Sequence, residues 1–272
     1  MSNIKGDIKV GPKNKLVNGS NGKMIWEKNY IKTGENSSTT IFFKDGSEVR
    51  LFGKSNLKIG LNKSTTNRWL RYRIHLIFGS FWGYFNRGDN PIEITGDGLR
   101  IHVSKASMRF SRYESSHNIN ANSGVLKVFN SVSSVKLYSG QRLYKVQKKD
   151  FLPKKVTSIP NQLNLWIEPK SPFFSNKKSL SINLFLQVVR SGTGIKIKRP
   201  GPVFLKSNYY NLVIPRPIRL NIDGKAKIIL EAKLPHSNDR TFEGSVIFQT
   251  IMDQNNFDDV QDGFLKVKLG LP

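Results

Sequence analysis

The 272-residue chain contains no cysteine. That absence excludes disulfide frameworks, thiolate zinc sites, iron–sulfur clusters and cysteine nucleophiles. Histidine is scarce too: His75, His102, His117 and His236 are scattered and have no metal-ligand spacing. The 19 carboxylates are too sparse to single out a facing acid and base for glycoside hydrolysis. No histidine lies in a nucleophile motif, and Gly192-Thr-Gly194 lacks the Gly-Lys-Ser/Thr ending and following helix of a phosphate loop. No stretch approaches the roughly 18 uninterrupted apolar residues of a membrane-spanning helix. The Met-Ser-Asn-Ile start carries no apolar leader, so an exported form is expected to have lost its signal peptide before this numbering begins. These gaps point to a non-enzyme with no cofactor, no metal and no transmembrane segment.

What the chain has in excess is positive charge. Lys and Arg total 44, giving a net charge of +25. Residues 1–150 hold 26 basic and 10 acidic side chains, +16, and residues 151–272 hold 18 and 9, +9. The excess is therefore spread along patterned segments and is not a basic tail. Such a field attracts polyanions at long range, whether acidic glycan, lipopolysaccharide or nucleic acid; the bland reading is a proteome that uses lysine as its default solubilising residue.

Periodicity is that of strands. Lys225–Lys233, Gly263–Leu269 and Ser123–Phe129 alternate apolar and polar residues, with lysines on the polar side. Asn18-Gly19, Asn21-Gly22, Asp45-Gly46, Asp97-Gly98 and Asp223-Gly224 are dipeptides of tight turns. No helical period persists beyond about three turns. The fold class is all-β. The basic, proline-containing stretch Lys148–Lys155 marks a boundary between a domain over 1–152 and another over 160–272.

Ile31-Lys-Thr-Gly34 leads through an alternating strand to Asp45-Gly-Ser-Glu-Val-Arg-Leu51 and Ser55-Asn-Leu-Lys-Ile59. Leu76–Gly83, Pro91–Thr95 with Leu99–Val103 and Ser107–Phe110, Ser123–Val128 and Val135–Gln141 then follow in order. This series, over about residues 5–147, resembles a FecR-like domain. The resemblance implies a short, flattened β-solenoid or roll outside the cytoplasm, in periplasm or at the cell surface, without catalytic residues. In the best-known members it relays the state of an outer-membrane transporter to a sigma regulator. Here the cytoplasmic helical segment, transmembrane helix and βαβ-type short domain of those members are missing from the sequence, so fold and compartment are implied and iron signalling is not.

The region from 160 predicts about seven strands, at Leu163–Ile167, Ser179–Arg190, Ile195–Arg199, Val203–Lys206 with Tyr209–Ile214, Ile218–Ile222 running into Ala226–Lys233, Glu243–Met252 and Phe264–Leu269. This spacing suits an immunoglobulin-like antiparallel sandwich, with Trp166 or Phe185 at its centre.

The candidate partner site lies in Arg68-Trp-Leu-Arg-Tyr-Arg-Ile-His-Leu-Ile-Phe-Gly-Ser-Phe-Trp-Gly-Tyr-Phe-Asn-Arg87. Its Arg68, Trp69, Arg71, Tyr72, Arg73, Trp82, Tyr84 and Arg87 interleave ring faces with cationic forks, a chemistry suited to sugars, headgroups or bases. The competing reading puts these rings in the roll's interior. Alternation sets Ile74, Leu76 and Phe78 on one face and His75 and Ile77 on the other. Asp253–Asp262 could offer oxygens to calcium but lacks the EF-hand spacing; a solvated or ion-paired acidic loop is the default. The sequence thus reads as a structural, adaptor or protein-interaction module of the cell envelope. Its expected partner is a protein, with an acidic glycan or lipopolysaccharide as the alternative ligand and nucleic acid behind both; a signalling component related to transporter-linked sigma regulation is the second alternative.

Overall fold

The computed structural model describes residues 1–63, 70–87, 91–170, 179–209, 211–215, 217–233, 245–254 and 257–268, with backbone alone at 61–63, 70, 71 and 245. The chain is all-β and divides into two compact units, Met1–Ile159 and Pro160–Pro272. In the first unit the strands are β1 (Ser2–Lys5), β2 (Ile8–Gly11), β3 (Val17–Asn18), β4 (Tyr30–Thr33), β5 (Ser38–Phe42), β6 (Glu48–Leu51) and β7 (Ser55–Lys63). There follow β8 (Leu70–Asn86), β9 (Ile92–Gly96), β10 (Leu99–Tyr113), β11 (Ser116–Phe129), β12 (Ser134–Tyr138), β13 (Gln141–Val146) and β14 (Val156–Ser158).

Three long strands change neighbours midway, and this makes the sheet a roll. The first half of β8 pairs with β7 and β9, its second half with β6 and β10. β10 leaves β9 for β8 after Val103, and β11 pairs with β13 at one end and β12 at the other. One layer therefore reads β3-β2-β4-β7-β8-β9-β10-β11-β12 and the other β1-β5-β6-β8-β10-β11-β13-β14. The layers face one another: a Cβ on Gly96 of the first would stand 2.9 Å from Phe110 Cζ of the second. Between them lie Ile74, Leu76, Ile94 and Ile101 from one side and Val49, Leu51, Phe81, Met108 and Phe110 from the other, all fully buried. The Phe81 and Phe110 rings meet edge to face at 5.9 Å.

Gly79 is the hinge of β8. Its φ is +90°, and a Cβ there would stand 2.5 Å from Ser55 Cα and 2.6 Å from the Lys54 carbonyl, so no side chain fits. Just before it, pairing slips between Leu57↔Leu76 and Asn56↔Phe78, which leaves Ile77 as the extra residue of a bulge. The bulge corrects the simple alternation: Ile74 and Leu76 point into the core, whereas Phe78 is turned out and 46% exposed. It also makes Leu76–Gly83 part of one bent strand.

The second unit consists of two sheets over one apolar core. Its strands are β15 (Asn161–Glu168), β16 (Ser179–Arg190), β17 (Gly201–Ser207), β18 (Leu212–Val213), β19 (Ile218–Leu220), β20 (Lys225–Lys233), β21 (Ser245–Met252), β22 (Val260–Gln261) and β23 (Gly263–Lys268). The sheet orders are β18-β20-β16-β15-β22 and β19-β17-β21-β23. Ile195–Arg199, expected as a strand, makes only an isolated bridge through Lys196 to Val189, and β18 does not continue β17 but joins the other sheet. Two further expectations need correcting. The predicted continuous run from Ile218 to Lys233 is broken between sheets, because Asn221 Oδ1 accepts from the Asp223 and Lys225 amides and Gly224 adopts φ +72°. Trp166 is not central: Leu163 and Ile167 take the inward positions of β15, leaving Trp166 42% exposed and stacked at 5.3 Å on half-buried Phe185.

Candidate functional site

The residues singled out between Arg68 and Arg87 do not form one patch. Arg68 and Trp69 lie outside the described residues, and of Arg71 only the backbone is described. Trp82 is fully buried, which removes it from any partner surface. It stands directly between Arg50 of β6 and Arg109 of β10. Arg50 donates to Thr40 Oγ1 at 3.1 Å and Ser38 Oγ at 3.2 Å, while the Arg109 guanidinium lies 4.6 Å over the Phe52 ring. Tyr84 is half-buried on the same side of the sheet, between Glu48 and Ser107. Arg73, on the other half of β8, pairs with Glu93.

Tyr72 and Arg87 are brought together. Tyr72 lies near the start of β8 and Arg87 just past its end, and fifteen extended residues would hold them roughly 50 Å apart; the bend at Gly79 instead sets the Arg87 guanidinium 4.5 Å over the Tyr72 ring. Arg87 also pairs with Asp45 at 3.2 Å. Tyr72 forms one wall of a groove of about 370 Å³ whose other walls include Met24, Trp26, Ile41, Phe42 and Phe43. The Phe43 and Tyr72 rings tilt together at 5.2 Å.

Local hydrogen bonding explains both lips of the groove. On one side Met1 clamps the loop, its amino group donating to the Lys23 carbonyl and its own carbonyl accepting from Gly22. Further on, Asn29 Oδ1 accepts from the Trp26 amide at 3.0 Å and Lys28 N donates to Ile59 O at 2.9 Å. Ile25 is thereby packed on the core while Met24 and Trp26, 64% and 65% exposed, face outward. On the other side the Asp45-Gly46-Ser47 turn closes on itself. Ser47 N donates to Asp45 Oδ1 at 2.9 Å, Gly46 takes φ +80°, and Phe42 is left 53% exposed.

Three large apolar side chains at one concavity are a feature of contact surfaces. The rim carries Lys23, Lys44 and Glu27, with Arg87 neutralised by Asp45. Met24, Trp26 and Phe42 were not among the predicted site residues. A signal for two of them was present: Met24-Ile-Trp26 is an apolar triplet set just after Asn18-Gly19 and Asn21-Gly22, in a segment otherwise composed for turns.

The acidic loop of the second unit is ion-paired. Asp259 Oδ1 lies 2.8 Å from Arg199, whose guanidinium stacks on Phe257 at 4.7 Å, and Asp259 Oδ2 accepts from Asn161. Asp258 and Asp262 are buried, so the solvated reading of that loop is corrected at these positions.

No family model and no curated protein matches the sequence. Two crystal structures of a candidate anti-sigma factor from Parabacteroides distasonis ATCC 8503, at 1.65 and 2.50 Å resolution, are similar in part. Identities are 14% and 13%, each with a TM-score of 0.39 over 47% of this chain. The chain spans 57% of the length of those it matches.

Proposed function

We propose that this protein is a non-enzymatic, extracytoplasmic binding module of the bacterial cell envelope that docks a protein partner in the groove between Trp26 and Tyr72. The observation that carries this reading is the convergence of Met24, Trp26 and Phe42, all more than half exposed, on a single concavity. Solvating that much apolar surface is unfavourable, and covering it releases about 25 cal/mol per Å². The partner presents apolar or aromatic anchors flanked by carboxylates, because the rim cations, half-buried Lys23 and exposed Lys44, outnumber Glu27. Support for the compartment comes from the FecR-like series, whose Asp45-Gly46-Ser47 turn carries one lip of the groove. The second unit, read as an immunoglobulin-like domain, serves as spacer.

The test places a photo-crosslinking residue at Met24 in the native host, identifies the adduct, and titrates that purified protein against the full chain. Trp26→Ala and Phe42→Ala should each weaken binding about tenfold or more with unchanged circular dichroism. Adducts made of glycan or lipid alone, or an affinity unaffected by both substitutions, would refute the groove as a protein-docking site.

A further inference from the structure

A second surface, independent of the groove, is written across the outward face of the roll's first layer. Alternation along the strands of this layer sends one side-chain set into the core and the other to solvent. Register then lines the solvent set into rows that cross the strands. One row runs Tyr30, Lys58, His75, Thr95, Arg100, Phe129. The next runs Arg73, Glu93, His102, Lys127, Lys136. On the flank, Lys9 stands opposite Lys32, and Lys32 opposite Asn56.

This face therefore gathers seven Lys and Arg side chains and two histidines, contributed by strands that are far apart in sequence. Against them stands a single carboxylate among the described residues, Glu93, already paired with Arg73 and within 3.7 Å of His102. The other described acids of the unit fall outside these rows: Asp45 and Asp97 lie in turns beside Arg87 and Arg112, Glu35 beside Lys54, Asp150 beside Lys155, Glu48 is buried in the other layer, and Asp7, Glu27 and Glu114 lie between strands. None of Lys9, Lys32, Lys58, Arg100, Lys127 or Lys136 has an acidic partner among the described residues, and all but half-buried Lys58 are exposed. The local crowding is felt at His75, whose pKa is lowered first by burial and then by Arg112, Lys58 and Arg73.

We propose that this face binds an acidic polysaccharide laid across the strands. Charge complementarity carries the choice of a polyanion: like charges held side by side repel, and a repeating anion relieves that repulsion along the whole row. Geometry favours a linear glycan. The longer row crosses six strands in steps of ~4.8 Å, roughly 24 Å in all, and with its neighbour and the flank it sets Lys58, Arg100, Lys127, Lys136, Lys9 and Lys32 on one face, so a polymer with one carboxylate or sulfate per sugar reaches several cations at once. Single-stranded nucleic acid needs free ring faces for its bases, yet Tyr30 is covered by Lys58 at 5.5 Å and Phe129 leans on His102 at 4.9 Å. A lipid surface needs a belt of apolar anchors, whereas here Phe78, Val125 and Tyr138 sit at the margins of the cationic rows.

The experiment titrates the full chain with a size-defined oligogalacturonate and a heparin oligosaccharide, beside a short DNA duplex and phosphatidylcholine vesicles containing phosphatidylglycerol. Salt is stepped from about 50 to about 200 mM. The expected result is that one of the two glycans binds more tightly than duplex or vesicles, with affinity falling steeply as salt rises. The double reversal Arg100→Glu, Lys127→Glu should weaken it about tenfold or more and flatten the salt slope by about 0.7–0.9 per lost contact. The reversal Lys225→Glu, Lys233→Glu on β20 makes the same change in net charge and should leave glycan affinity within about twofold. Equal losses from both reversals would show that net charge alone attracts the polymer and would overturn the proposal. Tighter binding of duplex or vesicles through the same residues, or a response insensitive to salt, would overturn it as well.

Discussion

The two halves of β8 carry kindred side chains to opposite ends. Before Gly79, Arg73 and His75 stand on the outward face of the first layer, among cations that have no acidic partner. After it, Trp82 is sealed between Arg50 and Arg109, in a row that continues through Thr40 on one side and Asn120 on the other. Arginine beside an aromatic ring is thus a surface device in one half and interior packing in the other. The difference lies in the neighbours. In the second layer the guanidiniums find hydroxyls and ring faces, Thr40, Ser38 and Phe52, which satisfy their hydrogen bonds and shield their charge locally. In the first layer Glu93 offsets Arg73 alone, and where lysine stands opposite lysine, at Lys9 with Lys32 and Lys127 with Lys136, solvent or an added anion offsets the charge.

Truncating the ring in the interior half should separate the two faces most clearly. Trp82→Ala should cost about 3–5 kcal/mol of folding stability by chemical denaturation, while Arg100→Ala on the outward face should stay within about 0.5 kcal/mol. Comparable effects at both positions would mean that the two faces are not energetically distinct. The hinge between the halves comes next. Gly79→Ala forces a Cβ against the Lys54–Ser55 backbone at positive φ, and should lower stability by roughly 2 kcal/mol or more; since the bend unites Tyr72 with Arg87, it should also weaken partner binding in the groove.

A smaller effect sharpens the contrast through pH. His117 is buried against Phe110, and its Nδ1 donates to the Val146 carbonyl at 3.3 Å. Burial lowers its pKa below 6.5 more than that hydrogen bond restores it. The unfolded chain therefore takes up the proton first, so stability is full above pH 6.5 and declines as pH falls below it. His75 is lowered as well, by burial and by its cationic neighbours, and works in the same direction. Melting curves at pH 7.5 and 5.5 should show the drop shrinking in His117→Gln, and shrinking in His75→Gln too when salt is low. In high salt the His75 contribution should fall in part, because screening acts on the Arg112, Lys58 and Arg73 charges beside it but not on burial, the larger cause. The smallest effect belongs to the outward face: Lys127→Glu should leave the melting temperature within about a degree or raise it slightly by relieving repulsion.

Much of the fold was legible along the chain. Ser179–Arg190 emerges as one strand, and Lys225–Lys233 alternates inward Ile228, Leu230 and Ala232 with outward lysines as its spacing dictates. The Asp45-Gly46 and Asp223-Gly224 turns form because an Asp or Asn side chain and a glycine free of Cβ suffice locally. The candidate site was legible only in part. Tyr72, Arg73 and Arg87 belong to surfaces, but Trp82 does not, and Met24, Trp26 and Phe42 escaped notice. Alternation tells which residues share a side of a strand; it does not say which side a second layer covers.

Composition and spacing alone determined that this chain is all-β, strongly basic and without a thiol or clustered histidine, because these follow from residue counts and from a period of two. Tertiary structure decided which arginines meet solvent and where the exposed rings gather. A bulge at Ile77 and the positive φ of Gly79 turn one strand into parts of two layers, and pairing between residues remote in sequence then assembles the cationic rows and the groove. Those outcomes depend on which strands become neighbours, a relation that no local stretch of residues contains.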